Sequence, residues 1–315
     1  MSELKSAVVI PCFNEEKLIL STLSSIPDFV DYIYVIDDAS QDATADVARQ
    51  YGKQDLRVRV VRLEENMGVG GAVISGFQLC MAETDSDVIG IVAGDNQFDS
   101  SYLGAMLDLL VNKNADYVKA SRFFHREAFR TMPKYRQFGN IFISLLTKFS
   151  TGYYSITDIT NGCGFFTRQI LEKVDFSIVR RRYDYETSML TALAIADAKV
   201  LDYPVPAHYG EETSTIKLIP TAFRNLAAVW SGFWRRIFLK YVVFGFHPIA
   251  LFLFAGIAFG MTGLVIGTWL IFERLLNGQQ PSSGTMMLVA LPLILGFQMV
   301  LSALSMDVAN ERKRD

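Results

Sequence analysis

Strand-like and helix-like segments alternate through about the first 210 residues, and such alternation predicts an α/β domain with a mostly parallel sheet. Acidic clusters follow three of the predicted strands directly, and they predict a ligand site at the carboxyl edge of that sheet. Two long apolar stretches near the C-terminus predict membrane spans. We therefore expect a Rossmann-like domain, then an interfacial helix and two transmembrane helices.

Five apolar runs have the composition of strands, and they are Ser6–Pro11, Tyr32–Asp37, Arg57–Leu63, Asp87–Ala93 and Asp116–Ser121. The helical segments between them are Lys17–Ser25, a helix opened by the cap-like Ser40–Thr44, Val69–Met81 and Ser101–Asn112. The expected divisions are the α/β domain 1–215, amphipathic juxtamembrane helices 216–240, spans 241–272 and 285–306, and a basic tail 307–315.

Net charge and cysteine content exclude several classes of protein. The net charge of −3 gives the chain no general affinity for polyanions, so no nucleic-acid partner is expected. The basic runs 119–136 and 213–240 suit an anionic ligand or a membrane surface, with a solvated basic face as the alternative. The three cysteines lie far apart, which favours a reducing compartment. Because Met1–Ser6 lead directly into a strand, no signal peptide is expected.

The apolar stretches Tyr241–Phe272 and Leu275–Met306 each hold 32 residues without Asp, Glu, Lys or Arg. About 20 residues cross a bilayer, so both can span it; a buried hairpin in a soluble protein is the alternative. Arg235, Arg236 and Lys240 precede the first span, and Arg312, Lys313 and Arg314 follow the second. The positive-inside rule then predicts a multi-pass protein of the inner (plasma) membrane, with the large domain and both termini cytoplasmic.

The segment Thr221–Lys240 has apolar side chains at a helical period, two Trp residues and a basic flank. These features fit a helix that lies on a membrane surface. Packing of the same apolar face against the α/β domain is the other interpretation.

The acidic clusters are Pro11-Cys12-Phe13-Asn14-Glu15-Glu16 after the first strand, Asp37-Asp38 at the end of the second, and Asp95 after the fourth. Carboxylates there can bind the base and ribose of a nucleotide, and Asp95 with the carboxamide of Gln97 suits a divalent cation holding a diphosphate. One such cluster is more often turn chemistry, but three at one edge predict a nucleotide site. The glycine-rich loop Asn66–Ala72 follows the third strand and lacks the third Gly or Ala of a dinucleotide fingerprint, because residue 73 is Val. We expect its small residues to let a helix pack close to the sheet and the nucleotide.

Together these motifs resemble family 2 glycosyltransferases with a GT-A fold, in the subgroup of dolichyl-phosphate mannose synthase and bacterial polyprenyl-phosphate glycosyltransferases. The resemblance covers residues 6–215 and rests on the P-x-[FY]-N-E-E start, the D-D-x-S strand end, the glycine loop and the segment Asp95–Gln97. Two trailing membrane spans also occur in that subgroup. The resemblance therefore implies a nucleotide-sugar donor and a polyprenyl phosphate acceptor.

The resemblance also implies roles for residues at the donor end of the site. The residues expected to contact the nucleotide are Pro11, Asn14, Glu15, Asp37, Asp38 and Gly68. Asp95 would ligate Mg²⁺ or Mn²⁺, and Gln97 would lie near the diphosphate. Ala93 stands where the subgroup commonly has the first acid of D-x-D-x-Q, so the usual second ligand is missing. Asp99 either replaces it or caps the following helix.

At the acceptor end, the resemblance implies that Ser121, Arg122, Arg136 and Asn140 hold the lipid phosphate. Arginine forks can replace the hydration of a phosphate in a partly dry site, and surface ion pairs are the alternative. Asp158 is expected to act in catalysis beside the sugar, by orienting the acceptor or holding sugar hydroxyls. Asp184 and Glu186 fall where many relatives place a general base, but an anionic phosphate needs none. His208 is expected to begin a mobile loop.

The expected activity is inverting transfer of one sugar from a nucleotide-sugar, with UDP-hexose favoured, to polyprenyl phosphate, with undecaprenyl phosphate favoured, for modification of cell-envelope glycans. One alternative is a GDP-mannose-dependent polyprenyl-phosphate mannose synthase. Another is a catalytically silent nucleotide-sugar-binding membrane scaffold, which Ala93 motivates. A processive polysaccharide synthase is disfavoured because the chain has no Q-x-x-R-W motif.

Four glycines on the first span, Gly256, Gly260, Gly263 and Gly267, recur at three- and four-residue spacings. Such a face lets another helix approach closely. It motivates the hypothesis of a homo-oligomer.

Overall fold

The computed structural model describes residues 4–122, 144–159, 161–182, 184–206, 218–278 and 280–312. It divides into two compact units, Met1–Phe233 and Trp234–Asp315. The first unit contains the α/β domain, and the second contains the two long apolar helices.

The described part of the first unit contains a seven-stranded sheet in the order β3-β2-β1-β4-β6-β5-β7. Its strands are β1 Ser6–Cys12, β2 Tyr32–Asp37, β3 Val58–Arg62, β4 Val88–Ile91, β5 Tyr117–Ser121, β6 Gly164–Thr167 and β7 Val200–Pro204. Its helices are α1 Ile19–Ser25, α2 Thr44–Gly52, α3 Val69–Glu83, α4 Leu103–Asn112, α5 at 144–151, α6 Arg168–Lys173 and α7 Tyr185–Ile195. Short 3₁₀ turns occupy Ser100–Tyr102 and Phe176–Ile178.

The predicted α/β fold with a mostly parallel sheet is confirmed. All five predicted strands are present, and β1, β2, β3 and β4 pair in parallel. β6 runs antiparallel between β4 and β5, and β7 pairs in parallel with β5. Every strand of the sheet except β6 therefore ends at the same edge.

The sheet carries apolar side chains on both faces because helices cover both. Ala7 and Val9 of β1 lie in one buried cluster with residues of α3 and α7, whereas Val8 and Ile10 lie in the other with residues of α1 and α4. Strands buried on both sides read as nearly continuous apolar runs, which is why the sequence identified them. The rings of Phe77 and Phe166 meet edge to face at 5.2 Å within the first cluster.

Helix α8, Leu218–Phe238, has two different faces where its side chains are described within the first unit. Ala228 and Val229 are buried, and the Ser150 hydroxyl donates a hydrogen bond to the Val229 carbonyl at 2.8 Å. Trp230 on the opposite face is 67% exposed. The helix thus packs against the α/β domain on one side and keeps an aromatic surface on the other.

In the second unit, a π-helical turn at Leu239–Val243 precedes two long helices, α9 Pro248–Asn277 and α10 Ser283–Arg312. Both are long and apolar enough to cross a membrane. Of the most apolar stretch of each, only 28% in α9 and 11% in α10 is buried within the protein. Such exposure argues against a buried hairpin and supports membrane association. Helix α9 begins at Pro248 with the His247 side chain as its cap, later than the expected 241.

The glycine face of α9 packs against α10 in the same chain. A Cβ at Gly256 would lie 2.9 Å from the Gly296 carbonyl oxygen, and one at Gly263 would lie 2.7 Å from the Leu293 side chain. Glycine is therefore required for this close approach. The face that motivated a homo-oligomer is occupied by α10 within the hairpin.

Arg236 is one of the basic residues before the first span on which the predicted orientation depends, and it is buried in the second unit. Both of its terminal nitrogens donate to the Asp307 carboxylate at 2.8 Å, and the Tyr241 hydroxyl donates to the same carboxylate at 2.5 Å. Asp307 thereby neutralises Arg236. The positive flank before the first span then consists of Arg235 and Lys240.

Candidate active site at the carboxyl edge of the sheet

The loops that follow β1 and β2 are hydrogen-bonded to each other. The Asn14 N–H donates to the Ser40 hydroxyl at 3.0 Å, and the Gln41 N–H donates to the Asn14 side-chain oxygen at 2.8 Å. The Glu15 N–H donates to the Thr44 hydroxyl at 2.8 Å. The first two acidic clusters therefore form one rigid structure, because parallel neighbours bring them to the same edge.

Three non-glycine residues adopt left-handed backbone conformations at this edge. Asn14 and Ala39 both have φ of 58°, and Asn96 has φ of 54°. Asn tolerates this region, whereas it costs Ala about 1 kcal/mol. Strained conformations of this kind concentrate at functional sites. Their clustering here marks the edge as a candidate site.

Asp37 and Asp38 hold the surrounding backbone in place. Asp37 is fully buried; one of its oxygens accepts from the Ser40 N–H and hydroxyl, and the other lies 3.5 Å from Arg62 Nε. Asp38 accepts from the N–H groups of Met67 and Gly68 at 2.7 and 2.8 Å. Asp38 thus fixes the start of the glycine loop that leads into α3.

The glycine loop packs against the segment that precedes α7. A Cβ at Gly70 would lie 2.4 Å from the Arg180 carbonyl oxygen, and the Gly71 N–H donates to the Arg181 carbonyl at 3.1 Å. Gly68 has φ of 83°, which also favours glycine. The small residues do allow close packing, but the partner that Gly68, Gly70 and Gly71 meet is the segment before α7, whereas the sequence predicted the sheet and the nucleotide.

A pocket of about 240 Å³ opens between the ends of β1, β4 and β5. The described charged and carboxamide side chains in its wall are Asp95, Gln97, Asp99, Arg122, Asn161 and Glu186. Apolar wall residues include Pro11, Val69, Val73, Ile91 and Tyr185. The strand order reverses at β1, because β2 and β3 lie on one side of it and β4 lies on the other. Ligands of open α/β sheets bind at such a point.

Asp95 and Gln97 lie at one end of this pocket. Asp95 is half-buried, and its carboxylate accepts from the Gln97 N–H at 3.1 Å. Gly94 lets the segment approach β1, since a Cβ there would lie 2.9 Å from the Cys12 side chain. Asp99 lines the pocket and also caps the 3₁₀ turn, accepting from the Ser101 N–H at 3.0 Å. One carboxylate oxygen of Asp99 therefore makes the helix-capping bond that the sequence predicted as one of two roles.

The acids in this wall fit a cation that is shared with a substrate. Within the residues that the structure describes, no group of three or more His, Cys, Asp or Glu side chains could hold a metal ion alone. Mg²⁺ binds through one or two carboxylates when substrate phosphates supply further oxygens. Asp95 meets that requirement, whereas Ala93 supplies no ligand.

Arg122 is held in the pocket wall by Asp158. The Asp158 carboxylate accepts from Arg122 Nε at 2.8 Å, from Nη2 at 3.2 Å and from the Arg122 backbone N–H at 3.1 Å. The Asp158 side chain has no exposed surface, whereas that of Arg122 is 33% exposed. Burial opposes ionisation of Asp158, but the hydrogen bond and charge of Arg122 outweigh it, and the pKa of the carboxyl is lowered. Arg122 is thus oriented before any anion binds.

A second buried ion pair lies behind Arg122. The Lys119 ammonium, only 1% exposed, donates to the Asp158 carbonyl oxygen and lies 3.7 Å from the Asp202 carboxylate. The other oxygen of Asp202 accepts from the N–H and hydroxyl of Thr157, both at 2.7 Å. Desolvation lowers the pKa of Lys119 although Asp202 and Asp158 oppose that effect. The pair joins β5 and β7 to the loop that carries Asp158.

Glu186 lies in the first turn of α7 and is half-buried in the pocket wall. Burial raises its pKa to about 7, against the opposing effect of Lys119 and Arg122. Burial likewise raises the pKa of Cys163 to about 11, so this thiol is protonated and is not a nucleophile at neutral pH. The described pocket wall contains no histidine.

The structure brings four expected site residues, Pro11, Asp95, Gln97 and Arg122, into the pocket wall. Asn14, Glu15, Asp37, Asp38 and Gly68 lie at the same edge beside it. Ser121 and Asp158 are buried behind the wall, where Ser121 bonds the Thr157 hydroxyl at 2.7 Å. Arg136, Asn140 and His208 lie outside the described residues.

Lys119 and Asp202 were not identified as a structural pair from the sequence, where Lys119 counted only as part of a basic run. The signal was present, because each is a single charge within a short strand: Tyr-Val-Lys-Ala-Ser in β5 and Val-Leu-Asp-Tyr-Pro in β7. Buried strand positions tolerate charges only in pairs. Finding the partner requires knowing that β5 and β7 are neighbours.

Comparison with known proteins identifies the family. The model of glycosyl transferase family 2 matches residues 7–175, more than half of the chain. A UDP-N-acetylglucosamine–dolichyl-phosphate N-acetylglucosaminyltransferase of Methanococcus voltae is 25% identical, over 65% of this chain and 86% of that protein. An undecaprenyl-phosphate mannosyltransferase of Micrococcus luteus is 27% identical, over 73% and 97%.

Among solved structures, glucosyl-3-phosphoglycerate synthase from Mycobacterium tuberculosis, in complex with Mn²⁺, UDP-glucose and phosphoglyceric acid, has a TM-score of 0.57. It is 19% identical, and the match covers 73% of this chain and 80% of that one. At this identity the likeness establishes the fold alone, which is GT-A. On the family match and the fold together, the chain belongs to glycosyl transferase family 2 and is a glycosyltransferase.

Proposed function

We propose that this protein transfers one sugar from a nucleotide-sugar to a polyprenyl phosphate, with inversion at the anomeric carbon. Within that class we favour a UDP-hexose as donor and undecaprenyl phosphate as acceptor. The product is a lipid monophosphate sugar for modification of cell-envelope glycans.

The named relatives support the lipid acceptor. The proteins of Methanococcus voltae and Micrococcus luteus are named for dolichyl phosphate and undecaprenyl phosphate, and a polyprenol monophosphomannose synthase of Mycolicibacterium smegmatis is 30% identical over 56% of this chain. These names include both N-acetylglucosamine and mannose. They therefore support the class of reaction more strongly than any one sugar.

One observation carries the proposal: a single pocket has Asp95 and Gln97 in one part of its wall and the preoriented Arg122 in another. An acid at a strand end suits a metal-bound diphosphate, and an arginine held in a fork suits a phosphate monoester. The reacting ends of a donor and of an anionic acceptor can thus meet in one pocket.

The chemistry follows from what the wall residues can do. The acceptor phosphate is already an anion, so it attacks the anomeric carbon without a base, and Arg122 holds one of its oxygens in line. Burial raises the pKa of the Cys163 thiol to about 11, which disfavours a thiolate nucleophile at neutral pH. Displacement in a single step from the face opposite the leaving diphosphate inverts the configuration.

Asp95 is the residue that would hold Mg²⁺ or Mn²⁺, together with the diphosphate and with Gln97 beside it. Bound there, the cation would neutralise the charge that develops on the leaving nucleoside diphosphate. Pro11 and the loops of Asn14, Glu15 and Asp38 would shape the nucleotide end.

The membrane arrangement fits this acceptor. With Arg235 and Lys240 before α9 and the basic residues 312–314 after α10, the large domain and both termini would face the cytoplasm. The exposed face of α8 with Trp230 suits a membrane surface. The acceptor phosphate would then enter from the cytoplasmic leaflet.

The test is incubation of the full chain, purified in detergent, with polyprenyl phosphates and a panel of UDP- and GDP-sugars. We expect one donor to give a lipid-linked sugar that depends on divalent cation. Asp95→Asn should lower turnover at least about 100-fold, a loss of some 3 kcal/mol in transition-state stabilisation. Arg136→Ala should raise the KM for the lipid.

Asp99→Asn is the matched control, because asparagine can also cap the 3₁₀ turn. It should keep turnover within about threefold; a loss as large as that of Asp95→Asn would instead make Asp99 the second metal ligand. Absence of lipid-linked sugar with every donor, together with intact nucleotide-sugar binding, would favour the catalytically silent scaffold.

A further inference from the structure

The described wall of the pocket contains three carboxyl groups, and they come from two parts of the chain. Asp95 and Asp99 follow β4, whereas Glu186 lies on α7 against Gly162. Asp158, the acid expected to act beside the sugar, is fully buried and binds Arg122 through both oxygens. Glu186 is therefore the carboxyl that the α7 side of the wall offers to a ligand.

Gly162 lies against Glu186. A Cβ at that position would lie 3.7 Å from Glu186 Cγ and 4.0 Å from its Oε1, which is ordinary van der Waals contact. Asn161 lines the same pocket; its side-chain oxygen accepts from the Cys163 N–H at 3.1 Å, and its amide nitrogen can still donate. The wall therefore contains the Glu186 carboxyl, the Asn161 carboxamide and the backbone of Gly162.

The surroundings suit an uncharged polar ligand. The same wall includes Tyr185, which precedes Glu186 on α7, and Val73, and both can contact the C–H faces of a sugar ring. With the diphosphate assigned to the Asp95 part of the wall and the acceptor phosphate to Arg122, the donor's sugar is the group left to meet the α7 side.

We propose that Glu186 and Asn161 form the subsite that recognises the hydroxyl groups of the donor sugar, and that Glu186 does not serve as a base. This inference rests on the proposed function, since it takes the acceptor to be a phosphate. Glu186 is then a specificity-determining residue: the pocket admits a donor whose hydroxyls match this pair and rejects one that leaves the pair unpaired.

The charge state of Glu186 agrees with that role. Burial raises its pKa to about 7; Lys119 and Arg122 lower it, and Asp184 raises it. The cavity behind it, lined also by Lys119 and Tyr117, measures about 10 Å³ and holds one water at most. A bound sugar would remove the remaining solvent and favour the neutral acid, which can donate one hydrogen bond and accept another from neighbouring hydroxyls.

The experiment compares nucleotide-sugars with free nucleotides on the full chain in detergent. Dissociation constants of UDP-glucose, UDP-N-acetylglucosamine, GDP-mannose, UDP and GDP are measured for wild type, Glu186→Ala and Glu186→Gln. Glu172→Gln, the same chemical change on an exposed helix position, is the control. For the sugar that wild type binds best, Glu186→Ala should weaken binding about 10- to 100-fold, with free UDP and GDP changed less than about twofold.

Glu186→Gln keeps the shape of the side chain and both hydrogen-bonding functions, so it should bind the sugar within about tenfold of wild type and still turn over. A base would behave differently: Glu186→Gln would lose turnover about 100-fold or more for every donor while binding stayed unchanged. That result, or equal weakening of sugar and free nucleotide by Glu186→Ala, overturns the inference.

The binding advantage of the nucleotide-sugar over the free nucleotide gives a second measurement. Sugar binding should raise the pKa of Glu186 further, so wild type should lose that advantage as the pH rises from 6 to 8, whereas Glu186→Gln should not. A flat wild-type profile contradicts the neutral acid. Binding also separates the two proposals: loss of lipid transfer with this pattern intact overturns the acceptor and not the sugar subsite.

Discussion

Buried charges at the end of β5 orient the one arginine that the described pocket wall contains. Arg122 is fixed by Asp158, and the loop of Asp158 is fixed by Lys119 and Asp202. Taking such charges out of water is costly, so each must be paired. The two buried ion pairs offset this desolvation cost, and as a result Arg122 has one orientation in the pocket wall.

Removal of the Asp158 carboxylate should destabilise the α/β domain. Asp158→Ala leaves Arg122 without its carboxylate partner, whereas Lys119 keeps Asp202 and the backbone carbonyl of residue 158. It should cost about 3 kcal/mol, measured as a lower midpoint of thermal unfolding in detergent. Arg122→Lys, which keeps the charge but loses the fork, should cost less and should mainly raise the KM for polyprenyl phosphate.

The same carboxyl makes stability depend on pH. Because the folded pKa of Asp158 is lowered, its contribution is fully present above the unfolded value, about 3.9, and is lost as the pH falls through the folded value. The unfolding midpoint of wild type should therefore fall more steeply below pH 4 than that of Asp158→Asn. Asp108→Asn, an exposed change on α4, should follow wild type. Parallel curves for all three proteins would contradict this account.

At the level of elements, the glycine loop and α3 depend on close contact with the segment before α7. The sequence predicted α3 and its small residues, but it did not predict that residues 180–182 are their partner. That contact lies more than a hundred residues away in the chain, and it forms only because α3 and α7 cover the same face of the sheet.

A substitution in this loop tests the contact. Gly70→Ala puts a Cβ 2.4 Å from the Arg180 carbonyl oxygen, so the start of α3 must shift. We expect at least a tenfold loss of nucleotide affinity and about 2 kcal/mol of destabilisation, measured by UDP titration and thermal unfolding. Gly104→Ala in α4 is the control, since its nearest heavy atom would be Phe29 Cε1 at 3.6 Å. It should be neutral or slightly stabilising.

The sequence did not predict β6 or β7. β6 has four residues and begins at Gly164, directly after a loop. β6 exists because β4 and β5 leave a position between them, and Phe165 and Phe166 fill the two faces there. The sequence showed the residues, but only the neighbouring strands make them a strand.

For the whole molecule, the orientation of the hairpin in the membrane is the prediction. Cys12, Cys80 and Cys163 are buried, so new cysteines can be labelled against a low background. Ser283→Cys, at the start of α10, should react with an impermeant maleimide in intact cells. Gln54→Cys, exposed on the α/β domain, should react only after permeabilisation. The reverse pattern would invert the proposed orientation.

The sequence by itself determined the α/β class, the five parallel strands, the acidic edge and the two apolar helices, because each depends on local composition or periodicity. Only the tertiary structure decided that Asp158 orients Arg122, that Lys119 pairs with Asp202, that α9 uses its glycines on α10, and that Glu186 lies in the pocket wall. The physical reason is distance along the chain. A buried charge or a bare glycine shows that a partner is needed, and the fold determines which residue that partner is.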